Sequence, residues 1–126
     1  MPRDPQEVLR IEEAVCLFNS AEELWFWFIH ANEAKNDGAK CRQGISEKPR
    51  PCEPQDIMHI LNRVHRNRQL IMDHFRILSH YGNRGYAPDG RRPQESKAHT
   101  LWREAFAVLT PIFETRNFLK PRIRVV

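Results

Sequence analysis

Six consecutive apolar residues, Leu24 to Ile29 (Leu-Trp-Phe-Trp-Phe-Ile), limit the possible folds of this chain more than any other feature. They follow Ser20-Ala21-Glu22-Glu23, which has the spacing of a capping box, with hydroxyl and carboxylate each satisfying a backbone donor of the first helical turn. The spacing predicts a helix from Ser20 to about Lys35. A helix with no polar side over about two turns must be covered nearly all round. The expected fold is therefore all-α, a single domain of four to five helices, bundle-like or orthogonal, with this second helix at its centre. The run is far short of the roughly twenty residues needed to cross a bilayer. No membrane contact is expected.

The helices to cover it are readable on both sides. Asp4-Pro5-Gln6-Glu7 joins an N-cap acceptor to proline at the first helical position. Val8, Ile11, Ala14, Val15 and Phe18 then fall on one stripe, with Cys16 on the inner side, so a first helix is expected to end near Phe18. Glu53-Pro54-Gln55-Asp56 opens a third helix. Its face is Ile57, Leu61, Val64, Ile71, Phe75 and Leu78, flanked by Ile60 and Met72, and is read as one long helix to about Tyr81. Arg68 interrupts that face, and a break near His65 to Arg68 is the alternative. A last helix begins near Pro93 on the stripe Ala98, Leu101, Trp102, Ala105, Leu109 and Ile112, broadened by Phe106, Val108 and Phe113. Pro111 is expected to kink it or end it near Leu109.

Between these elements lie a long basic, proline-rich loop at about 36–54, a glycine-rich basic loop at about 82–92 and a short tail at about 115–126, frayed or docked as an extended piece. No repeat or low-complexity segment is present.

Charge is segregated along the chain. Residues 1–39 hold three Lys/Arg against eight Asp/Glu, residues 40–103 thirteen against six, and residues 104–126 four against two. An acidic head on a basic middle suits a surface that meets polyanions, or a dipolar surface that meets another protein. Seven arginines, Arg63, Arg66, Arg68, Arg76, Arg84, Arg91 and Arg92, fall between the third helix and the glycine-rich loop. The planar fork of arginine grips phosphate oxygens in pairs. His59, Arg63 and Arg66 share one helical face. Tyr81 and Tyr86 interleave with the loop arginines, available for stacking on sugar or base. The plainer reading is a solvated face whose cations pair with Glu12, Glu13, Glu22 and Glu23, and a loop whose tyrosines cover the core edge. A helix-turn-helix formed by the third and last helices is disfavoured, because about ten residues separate them where the motif has three or four. Phosphate and shape contacts are therefore expected over base readout.

Other chemistry finds little support. His30, His59, His65, His74, His80 and His99 with Cys16, Cys41 and Cys52 contain no zinc-like spacing, so no metal is expected. The histidines would strengthen the cationic face below about pH 6.5. An odd cysteine count suits a reducing compartment, and a Cys41–Cys52 disulfide is not expected. No nucleophile elbow or phosphate-cradling glycine loop occurs, so neither enzyme activity nor a cofactor is expected. Met1-Pro-Arg-Asp-Pro lacks the pattern of a secretory signal, and the expected location is the cytoplasm. The leading reading is a small non-enzymatic nucleic-acid-associated regulator that uses a basic helix and loop for phosphate contacts. The alternative is a protein-interaction module, with Trp25 and Phe28 as part of a partner surface and homodimerisation as one form of it.

Overall fold

The computed structural model describes residues 15–36 and 49–121. Four α-helices are present there: α1 (Ala21–Asn36), α2 (Pro54–Arg66), α3 (Met72–Arg84) and α4 (Ser96–Thr115), the last preceded by a 3-10 turn at Pro93–Glu95. α1 packs against α2, α3 and α4, and α3 packs against α4. The fold is all-α, and α1 is its centre.

That position follows from its side chains. Ser20 caps the helix by accepting the Glu23 amide at 3.1 Å, while the Glu23 carboxylate reaches back to accept the Asn19 amide at 2.7 Å. Leu24, Trp25 and Phe28 are buried, and Phe26, Trp27 and Ile29 are half-buried against the same core. Trp25 donates its indole N–H to the Leu78 carbonyl of α3 at 2.9 Å. That carbonyl lies one turn before Gly82. A Cβ at Gly82 would stand 2.7 Å from the Trp25 indole nitrogen and 2.9 Å from Ile29, so only glycine lets α3 approach α1 this closely.

The long third helix is two helices. α2 buries Ile57, Ile60 and Val64, and α3 buries Leu78, Tyr81 and Gly82. Between them Arg68 adopts φ 61°, in the left-handed region. The Arg68 amide donates to His65 O at 3.0 Å and the Gln69 amide to Val64 O at 2.9 Å, the paired bonds of a Schellman motif. The helical phase restarts after it. Ile71 and Met72, expected on the buried face, are instead about half exposed, and Leu70 takes the core position at 1% exposure. α3 also runs past Tyr81 to Arg84, with Gly85 at φ 87° as its left-handed cap.

Pro111 does not end α4, which continues to Thr115. Ala107 is exposed, so the carbonyl that loses its helical partner to the proline faces water, while Leu109 and Phe113 on the other side are fully buried. After α4 the chain turns at Asn117, φ 63°, and docks Phe118 and Leu119 on the core.

The first expected helix falls mostly outside the described residues. Its last part, Val15 to Phe18, is not helical. Phe18 instead forms an isolated parallel bridge with Leu119, bonding Phe118 O at 3.0 Å and the Lys120 amide at 2.8 Å. Cys16, expected on a helix, lies half-buried in this extended segment. Cys41 and most of the proline-rich loop also lie outside the described residues. Among the described residues no helix is long and apolar enough to cross a membrane.

Candidate functional site

The arginines begin on the outer face of α2. Burial of Ile57, Ile60 and Val64 turns His59, Arg63 and Arg66 outward, and all three are exposed. The Schellman turn then places Arg68 outside as well. Gly85 and Asn117 hold the equivalent left-handed positions after α3 and α4, where glycine and asparagine are the residues that tolerate them best. Arginine has a Cβ and no local hydrogen bond to offset the conformation, at a cost of about 1 kcal/mol.

A groove of about 350 Å³ runs beside this turn, between the last turns of α2 and α4. Ile60, Val64 and Ile112 contribute apolar lining, and Arg63 and Arg116 bring two guanidinium groups to it. Arg116 was not among the expected residues. Its only sequence signal is its place just before Asn117, in a stretch that reads as a tail.

α3 carries the next group. Its buried side turns Arg76, Ser79, His80, Asn83 and Arg84 to solvent on an arc opposite Leu78 and Tyr81. Arg84 lies over the Tyr86 ring at 5.0 Å and the Tyr81 ring at 5.8 Å, which fixes its head group by cation–π attraction. The two tyrosines divide the expected roles: Tyr81 is buried at the core edge, and Tyr86 is half exposed. Burial, and then the neighbouring Glu95 carboxylate, push the Tyr81 hydroxyl pKa above its usual range.

The glycine-rich loop is folded by its own acids. The Asp89 carboxylate accepts the Arg91 amide at 2.9 Å, and Glu95 accepts the Asp89 amide at 3.1 Å. Arg91 and Arg92 point outward from that turn. The seven arginines therefore do not form a single compact cluster. Arg63, Arg66 and Arg68 sit before the N-terminus of α3, Arg76 lies within it, Arg84 is its last residue, and Arg91 and Arg92 follow in the loop.

Most of these arginines have no carboxylate partner among the described residues. Arg76 pairs with Asp73 at 3.6 Å and Arg92 with Glu95 at 3.7 Å, both within one helical turn and with highly exposed guanidinium groups, so each pair is weak. Arg63, Arg66, Arg68, Arg84 and Arg91 form no ion pair among the described residues. Two of the acids expected to neutralise them are engaged elsewhere. Glu22 accepts the indole N–H of buried Trp102, and Glu23 caps α1. Glu12 and Glu13 lie outside the described residues.

Trp25 and Phe28, expected to contribute to a partner surface, are each 3% exposed, with ring centroids 5.2 Å apart inside the core. They offer a partner no surface in this fold. His74 joins elements rather than facing a ligand. Its Nδ1 accepts the Ile71 amide at 3.1 Å, which leaves Nε2–H to donate to Glu104 at 2.9 Å. Among the described residues no group of three His, Cys, Asp or Glu is placed to hold a metal ion. Cys52 is buried, and its thiol pKa is pushed up to about 12 by burial, then by Asp56, against a lowering by Arg50.

No protein-family model, curated protein or solved structure matches the chain.

Proposed function

We propose that this protein is a non-enzymatic nucleic-acid-binding regulator whose α2–α3 region holds the phosphate backbone. The observation behind this reading is the exposure of Arg63, Arg66, Arg68, Arg84 and Arg91 without a carboxylate partner among the described residues. Such a field attracts a polyanion, and guanidinium forks suit phosphate oxygens. Binding proceeds with release of condensed counterions, so affinity falls as salt rises.

Replacing Arg63, Arg66 and Arg68 together by Gln tests it. Three lost phosphate contacts should flatten the slope of log affinity against log salt by close to 3 and lower affinity at moderate salt by at least tenfold. All three side chains are exposed, so the variant should fold. Unchanged affinity and slope would remove this surface from the function.

A further inference from the structure

We infer that α3 lies in the major groove of B-form duplex DNA, with the cations of α2 and the Arg68 turn on the phosphates beside it; this rests on the nucleic-acid reading above. The break at Arg68 gives two helices of 13 residues each, joined by Asn67 to Ile71. α3 is thereby a helix of its own, packed against α1 and α4.

The exposed face of α3 has the chemistry of a reading surface. Arg76, Ser79 and Asn83 follow one another at three- and four-residue spacing and are all exposed, with His80 beside them. Arginine and asparagine can bond in pairs to guanine and adenine edges, and serine serves either. Asp73 is the sole acid within α3, and its weak pair with Arg76 opens readily.

The cations bracket this face. Thirteen residues make α3 about 20 Å long; Arg66 and Arg68 precede it, Arg84 ends it, and Arg91 and Arg92 follow it. A helix inserted in a major groove about 12 Å wide has a phosphate strand on either side, where cations at its two ends can reach both. Arg68 then has a reason to occupy a position that glycine would fill at less cost. Its side chain is exposed in the turn, four residues before α3. The A-form RNA duplex presents a deep, narrow major groove that excludes a helix, so the inference selects DNA.

The test is a binding titration of the full chain with three labelled probes: a random-sequence DNA duplex of about 24 base pairs, the matching RNA duplex, and one DNA strand alone. The DNA duplex should bind at least tenfold tighter than either of the others. Selection from a randomised duplex pool should enrich a base pattern, and the Ser79→Ala/Asn83→Ala double variant should lose or change it. Arg68→Gly should weaken binding severalfold on every duplex while raising the melting temperature. Circular dichroism melting checks that both variants fold. Equal or tighter binding to the RNA duplex or the single strand overturns the inference but keeps the phosphate reading, as does a base pattern unaltered by the double variant. Failure to bind any of the three probes at low salt overturns both.

Discussion

α1 and the α2–α3 turn treat their polar groups in opposite ways. Around α1 three of them hold the fold: Trp25 bonds Leu78, Glu22 holds Trp102, and Glu23 holds Asn19. Around the turn, Arg63, Arg66 and Arg68 point to solvent without an ion pair among the described residues, and Arg68 does so from a backbone conformation that disfavours it. The first region is arranged for stability. The second gives up some stability to keep charge available.

The contrast can be broken from the α1 side. Trp25→Ala removes a buried indole and its bond to α3, and should cost about 4 kcal/mol in chemical denaturation. Its remaining folded fraction should keep wild-type affinity for duplex DNA. A loss of affinity in that fraction would place binding on α1 and dissolve the distinction.

Alkali should act on the core and spare the turn. The Cys52 thiol has a folded pKa of about 12 against an ordinary value of 9.0, so the native state holds this proton more tightly than the unfolded chain. The stabilisation is complete below about pH 9 and is lost as pH rises from there toward 12. Tyr81, also raised, adds in the same direction. A pH series of denaturation midpoints should fall across that window, and Cys52→Ala should flatten part of the fall. Arginine stays charged throughout, so the turn contributes nothing to it.

The smallest expected change sharpens the comparison most. Arg68→Gly relieves the left-handed strain and should stabilise the fold by about 0.5–1 kcal/mol, read as a higher denaturation midpoint. A destabilised variant would mean that Arg68 packs against something that holds the turn, and that the cost has a structural rather than a functional return.

Much of the fold is legible in the chain because its signals are local. The Ser20 capping box and the apolar run define α1, Pro54 opens α2, and the stripe from Trp102 to Phe113 defines α4. The break between α2 and α3 is only half legible: Arg68 interrupts the apolar face, which leaves a break there as one of two readings. Gly85 and Asn117 announce a left-handed cap by their residue types, whereas an arginine in that conformation carries no such mark. Misreading it put Ile71 and Met72 inside and hid Leu70. Of the two readings of Pro111, an end near Leu109 does not occur, because the buried Leu109 and Phe113 hold the helix together.

The candidate site is legible in its composition but not in its arrangement. The excess of arginine from Arg63 to Arg92 stands out in the sequence. Glu22 and Glu23 are kept from it by the burial of Trp102 and the capping of α1, neither of which the charge pattern announces. Arg116 reaches the α2 groove because α4 continues through Pro111. The exposed row of Ser79 and Asn83 depends on the phase that α3 takes after Arg68.

The side-chain Nε–H resonances of the arginines, followed by NMR while duplex DNA is added to the full chain, test the central claim most directly. Arg66, Arg68, Arg76 and Arg84 should shift and sharpen as phosphate and base oxygens fix them. Arg50, already held against Cys16 O at 3.3 Å and over the Phe18 ring, should stay in place. Stationary resonances across the α2–α3 region at low salt, or shifts confined to Arg50, would contradict the account.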